Sequence, residues 1–240
     1  MNFAQRWVPR MLSDVRAQPR VIALLCDWLV APESGAMIFA GGTGVGKTVT
    51  AKALGRELGV VVDDGEMGGF YTIASGDMKK EAVEYAMRML RLLPFFGSGW
   101  RVLLCNEAEV MSRTAEDFWL DALEDLPGKS LVIFTTNCVD KFSQRFADRC
   151  GASGGIYHFE SRTEMLRGPI QEWCREIWHA ELGDDVPYEL GDNLGTPSLS
   201  GPDAMSCSFR HALSQLGCYI RAAKATQKEV SKRDSAVAIK

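Results

Sequence analysis

The chain has 240 residues, 46% hydrophobic and 24% charged, with a net charge of −4. That length holds one large α/β domain with a small companion, and that composition excludes disordered and fibrous classes. The negative balance argues against wholesale electrostatic binding to nucleic acid. No apolar run reaches the roughly 20 residues of a membrane-spanning helix, so no membrane partner is expected. The start, MNFAQRWVPR, lacks the apolar core of a signal peptide. Seven cysteines are scattered without a C-x-x-C pair, and His158, His179 and His211 form no ligand spacing. Reduced thiols in a cytoplasmic protein are expected, with neither a zinc site nor a disulfide framework.

In chain order, the opening segment is basic, with Arg6, Arg10, Arg16 and Arg20 against Asp14, and is read as a solvated face in which Trp7 packs. Residues 21–30 (VIALLCDWLV) predict a buried helix closed by Pro32 and Gly35. Met37-Ile38-Phe39-Ala40 predicts a strand, and GGTGVGKT follows it directly. That run matches G-x-x-x-x-G-K-[ST] in the strand-then-helix context the motif needs. Gly41, Gly42, Thr43, Gly44, Val45 and Gly46 would cradle phosphates with backbone N–H groups. Lys47 would bring positive charge to the terminal phosphates, and the Thr48 hydroxyl would ligate Mg²⁺. The helix expected over residues 47–58 aims its positive dipole end at the same anion. A bound nucleoside triphosphate is the direct implication.

Residues 60–75 carry two apolar stretches, VVV and FYTIA, one of which supplies the second strand. Residues 77–93 place Val83, Ala86, Met87 and Leu90 on one helical face. Phe95 and Phe96, beyond Pro94, are read as capping a core rather than lining a pore or docking a partner. RVLLC (101–105) and LVIFTT (131–136) are short β-rich runs of buried parallel type, separated by a helix over 114–126; residues 156–159 form a weaker last strand. Strands alternating with helices predict an α/β fold, a parallel five-stranded sheet flanked by helices. Past Ser161 a long amphipathic helix over 162–182, an aperiodic stretch over 183–202 and a helix over 208–225 predict a small α-helical lid. Three regions result: a nucleotide-binding domain over 1–160, a lid over 161–226, and a polar tail over 227–240 expected to fray.

Triphosphate hydrolysis needs a metal ligand, a group that positions water and cations for the transition-state charge. The 101–105 strand delivers Asn106-Glu107-Ala108-Glu109 at its carboxyl end, where ligands bind in an open α/β sheet. Glu107 is the candidate that orients or activates water. The next strand ends in Thr136-Asn137, whose amide would reach the γ-phosphate or that water.

With these motifs in hand, the chain resembles the AAA+ ATPases, and among them clamp-loader subunits such as the small subunits of replication factor C. The segment RWVPRMLSDVRAQ is similar to the family's opening segment, which puts Val8 and Pro9 at an adenine pocket. GGTGVGKT is similar to Walker A, LLCNEAE to Walker B and Asn137 to sensor 1. Asp148-Arg149-Cys150 resembles the S-R-C motif, implying that Arg149 acts in trans on a neighbour's nucleotide, with Arg145 the alternative. Ser208-Phe209-Arg210-His211 resembles the sensor 2 helix, with Arg210 as its arginine. The resemblance implies a P-loop NTPase fold, ATP and Mg²⁺ as ligands, Asn106 and Thr48 at the metal, and ATP at the interfaces of a homo- or hetero-oligomer. It implies coupling of turnover to loading or remodelling of a partner in DNA replication, transposition or mobile-element maintenance, with DNA a candidate contact.

Asn106 departs from the family's aspartate, a lost negative charge that would slow hydrolysis. The acidic run over 116–125 departs from the basic helix that clamp loaders use near DNA, and the collar domain that joins clamp-loader pentamers lies beyond the matched residues. Direct clamp loading is therefore not carried over. The alternative expectation is a nucleotide-dependent switch or scaffold with little hydrolysis; a small-molecule P-loop kinase leaves Asn137, Arg149 and the C-terminal helices unexplained.

Overall fold

A computed structural model of the chain describes residues 3–74, 79–186 and 208–237. Five strands, β1 (Gly35–Ala40), β2 (Phe70–Ile73), β3 (Arg101–Cys105), β4 (Ser130–Thr136) and β5 (Ile156–His158), make one parallel sheet ordered β2-β3-β4-β1-β5. Successive side chains of a strand point to opposite faces. Every residue of β1, β3 and β4 is buried, so both faces of the sheet centre are covered. This is the parallel five-stranded sheet expected from the alternation, and the P-loop NTPase fold that the resemblance implies.

FYTI, rather than VVV, supplies the second strand. Its aromatic and β-branched residues run in register with β3, Phe70 beside Val102 and Ile73 beside Cys105. Val62–Gly68 instead winds into a 3₁₀ turn, because Asp63, Asp64 and Gly65 favour local turns over a ladder.

Helices α1 (Phe3–Arg6), α2 (Pro19–Leu29), α3 (Lys47–Glu57), α4 (Lys80–Arg91), α5 (Arg113–Glu124), α6 (Gln144–Ser153), α7 (Thr163–Leu182) and α8 (Phe209–Val237) complete the described elements. Pro19 begins α2, where its missing N–H costs nothing. The start expected for α4, near Asp77, lies outside the described residues. Within α4 the predicted stripe holds: Val83, Ala86 and Leu90 are buried. The core beneath α5 and α6 is aromatic. Trp119 meets Phe134 edge-on at 5.1 Å, and Phe134 meets Phe146 at 5.0 Å. Phe95 and Phe96 do not cap this core; they are 81% and 53% exposed. The apolar face of α4 is already spent on its buried stripe, the chain turns extended at Leu92, and the Phe95 N–H is tied to the Met67 carbonyl at 3.0 Å.

Helix α6 occupies residues 144–153, where the sequence suggested no element. Ser143 caps it, its hydroxyl accepting from the Phe146 N–H at 3.2 Å. The buried Glu116 carboxylate takes the Ser143 N–H at 2.7 Å and an Arg113 N–H at 2.7 Å. One residue of the acidic α5 is thus a structural cap rather than a solvated charge.

Residues 9–160 form one compact unit; residues 3–8, with the described residues from 161 onward, form another. In the second unit, α7 buries Leu166, Ile170, Trp173, Cys174, Ile177 and Trp178 along one face. Helix α8 buries Ala212, Leu213, Leu216 and Ile220. Glu181 of α7, 5% exposed, takes three donors: Lys224 at 2.5 Å, Arg6 at 2.6 Å and the Trp7 indole N–H at 3.1 Å. Trp7 therefore packs, as expected. Helix α8 continues to Val237, through residues whose polarity predicted fraying. The run AAKATQK over 222–228 is rich in strong helix formers and has no buried residue, so propensity rather than burial carries it. No described helix is long and apolar enough to cross a membrane.

Candidate functional site

The register of the sheet builds the site. Ala40 of β1 pairs with Thr136 of β4, so Gly41 and Asn137 are both the first residues past a shared end. The Gly41 N–H continues the ladder to the Thr136 carbonyl at 3.1 Å. Cys105 of β3 pairs with Phe134, which brings Asn106 and Glu107 to the same edge, beside Thr135. All the chemistry-bearing loops therefore leave the sheet at its carboxyl end.

Two glycines of the phosphate loop are there of necessity. A Cβ on Gly41 would lie 2.8 Å from the Phe159 Cβ and 2.9 Å from its carbonyl oxygen. Gly46, at φ 107°, is the left-handed residue from which α3 starts. Lys47 follows as the first residue of α3 and is buried, its ammonium donating to the carbonyls of Gly41 (2.6 Å) and Gly42 (2.7 Å) and to Asn137 Oδ1 (2.9 Å). This folds the loop around the ammonium and links it to the end of β4. The Asn137 amide nitrogen donates to Glu109 Oε1 at 2.7 Å.

Asn106 turns its carbonyl oxygen to the Thr48 hydroxyl at 3.0 Å and the Thr135 hydroxyl at 3.4 Å. Mg²⁺ takes oxygen ligands at about 2.0–2.1 Å in octahedral geometry, whose adjacent ligands lie about 3 Å apart. The Thr48 and Asn106 oxygens meet that spacing, so the donor set fits the ion in kind and separation. The fit carries one charge fewer than a carboxylate would supply.

Glu107 is exposed and sits in the left-handed region at φ 51°, ψ 49°. A non-glycine residue there costs on the order of 1 kcal/mol, and such residues concentrate at functional sites. Its N–H donates to Thr135 Oγ1 at 3.2 Å, which pins the turn to β4. Cys105, one residue before Asn106, contributes no nucleophile: full burial pushes its thiol well above the ordinary range.

Among the candidate residues, Lys47, Thr48, Asn106, Glu107 and Asn137 come together with the loop 41–46. Arg149 lies on α6, in an ion pair with Glu124, while Asp148 accepts from Gln144 at 2.7 Å. Pro9 stands at the start of the larger unit; Val8 and Arg210, both exposed, belong to the other. Three residues escaped the sequence reading. Thr135 was hidden inside an apolar strand run, its one signal being a second hydroxyl beside Thr136. Glu109 was overshadowed by Glu107. Gln18, buried, donates to the carbonyls of Glu160 (3.1 Å) and Val45 (3.5 Å) and accepts the Glu160 N–H (2.7 Å), joining the phosphate loop to the last residue of its unit.

Comparison with known proteins agrees with this fold. The AAA family, described as the ATPase family associated with various cellular activities, matches residues 37–156, half of the chain. Over 202 residues the chain is 23% identical to the replication factor C small subunit of Halobacterium salinarum, covering 84% of this chain and 55% of that protein. Over 171 residues it is 25% identical to DNA polymerase III subunit gamma of Buchnera aphidicola, covering 62% and 46%. The chain spans about half the length of these relatives. In fold it is similar to the RuvB Holliday junction branch migration motor of Thermotoga maritima, with a TM-score of 0.63 at 16% identity over 90% of this chain and 64% of that one.

Proposed function

The chain belongs to the AAA family of ATPases, and on that premise we propose that it binds ATP with Mg²⁺ at residues 41–48 and hydrolyses it as an oligomeric module. Turnover would be coupled to loading or remodelling of a partner in DNA replication, transposition or mobile-element maintenance, in the cytoplasm. The observation that carries the reading is the bridge from Lys47 to Asn137 at 2.9 Å. It joins the phosphate loop to the end of β4 in a site that also gathers Thr48, Asn106 and Glu107.

Each residue then has a task. Lys47 exchanges its carbonyl partners for phosphate oxygens, as a lysine of this loop does. Glu107, exposed beside that edge, takes the proton of the attacking water or orients it, and Asn137 positions the same water. Thr48 and Asn106 would hold Mg²⁺, which would supply positive charge against the phosphates. Arg149 leaves Glu124 to reach the nucleotide of a neighbouring subunit, and Arg210 couples the helical unit to the nucleotide, with Val8 and Pro9 against the adenine. The replication factor C and DNA polymerase III relatives support a setting in DNA replication.

A second reading rests on Asn106, whose neutral amide replaces a carboxylate beside Thr48: a nucleotide-dependent switch with little turnover. Steady-state hydrolysis of the native chain beside Asn106→Asp separates the two. A native rate within about tenfold of the variant supports the motor, since a tenfold loss is only about 1.4 kcal/mol of barrier. Native turnover that cannot be told from the Lys47→Ala background, restored by Asn106→Asp, supports the switch.

A further inference from the structure

Glu109 stands two residues beyond Glu107, in the 3₁₀ turn Ala108–Val110 that follows β3. Its Oε1 accepts from the Asn137 amide nitrogen at 2.7 Å. Its Oε2 is buried and has no hydrogen-bond partner among the described residues. Buried carboxylate oxygens are normally satisfied, so a carboxylate kept here with half its capacity unused calls for a reason beyond packing.

The reason lies in the two ends of Asn137. An asparagine amide is nearly symmetric in shape, and only its partners decide which end faces which way. Here the partners carry opposite charges: the Lys47 ammonium meets the carbonyl oxygen at 2.9 Å and the Glu109 carboxylate meets the nitrogen. A flipped amide would set an NH₂ against an ammonium and a carbonyl against a carboxylate. When Lys47 turns to phosphate, one of these two restraints is released, and Glu109 is the one that stays.

Resting on the reading of Asn137 as the residue that positions the attacking water, we propose that Glu109 is its positioning residue. Glu109 holds the amide nitrogen away from the phosphate loop, so that Asn137 presents its carbonyl oxygen, an acceptor, to the nucleotide side. Asn137 therefore receives a hydrogen bond from the attacking water instead of donating one to a γ-phosphate oxygen.

A donor-acceptor exchange tests this with near-isosteric side chains. Asn137→Asp keeps an oxygen toward Lys47 but sets two carboxylates face to face; adding Glu109→Gln restores a donor opposite an acceptor. Three quantities are read for each protein: kcat for ATP, Kd for a slowly hydrolysed ATP analogue, and melting temperature. Asn137→Asp alone should lower kcat by at least about tenfold, and the double variant should regain kcat to within about threefold of native. The single and double variants share the Asn137→Asp carboxylate beside Lys47, so their Kd values should agree with each other within about twofold while kcat differs, separating positioning from binding. A double variant as slow as Asn137→Asp, or an Asn137→Asp variant with native kcat, overturns the proposal. A loss that follows melting temperature across the set overturns it too, because Glu109 would then be structural. Asn137→Ala distinguishes the underlying reading: native kcat in that variant removes Asn137 from the reaction itself, whatever Glu109 does.

Discussion

Asn106 presents to Thr48 the same kind of oxygen an aspartate would, without the charge. Geometry is thus kept while affinity for a divalent cation would be weakened, because Mg²⁺ is bound by few carboxylates and gives up its water reluctantly. Asn106→Asp is expected to lower the Mg²⁺ concentration for half-maximal turnover by severalfold, about 1 kcal/mol of charge interaction at a half-buried edge that water still reaches. A Mg²⁺ titration of steady-state hydrolysis checks it. Lys47→Ala is expected to abolish nucleotide binding in a fluorescent-analogue titration, since it removes both the ammonium around which the loop folds and the positive charge that loop offers to phosphate. The phosphate loop was legible because its glycines and lysine follow from the ligand itself, and no packing choice competes with them. Glu109 and Thr135 were not, because their meaning is a register: a threonine in β4 matters only once β3 lies beside it. Gln18 was invisible for the same reason, since it acts on Glu160, 142 positions away.

Elements were read well where periodicity is strong and poorly where capping decides. The buried strands follow from short apolar runs, α4 and α7 from amphipathic spacing, and α3 from its place directly behind the phosphate loop. Helix α6 was missed because its start rests on Ser143 and on a carboxylate from another helix. Phe146 within it is fully buried between Phe134 and Phe142. Phe146→Ala should cost about 3–5 kcal/mol in urea-induced unfolding.

In the helical unit, Glu181 fastens residues 3–8 to α7 and α8, and the Lys224 hydrogen bond, helped by Trp7 and Arg6 against the opposing effect of burial, holds its carboxyl below the ordinary value of 4.5. A carboxyl depressed by folding stabilises the folded state above the unfolded pKa, and that contribution drains away as pH falls through the lower folded value. Unfolding followed from neutral pH to below about 4.5 should therefore show an acid loss that is smaller in Glu181→Gln. At neutral pH the same variant should cost about 1–2 kcal/mol, discounted because Lys224 and Arg6 are 43% and 54% exposed.

At the scale of the molecule, the chain divides near Val8 and again near Ser161, so two chain crossings join the units. The later division falls where strands cease to alternate with helices. Nothing in MNFAQRWV announces that it belongs with α7 and α8, because its anchor, Glu181, lies far along the chain. The proposed reading has this nucleotide site completed by a neighbouring subunit, here taken as a second copy of the chain: Lys47 would serve the nucleotide of its own chain, and Arg149 would serve the neighbour's. Complementation tests it most directly. Lys47→Ala retains the arginine but no nucleotide of its own; Arg149→Ala retains the nucleotide but no arginine to lend. Each alone should hydrolyse ATP at least about 100-fold more slowly than native. Mixed at equal concentration, they should recover a substantial share of native activity, rising with total protein. Mixtures that stay at the sum of the two variants at every ratio, or an Arg149→Ala protein as active as native, would contradict a shared site.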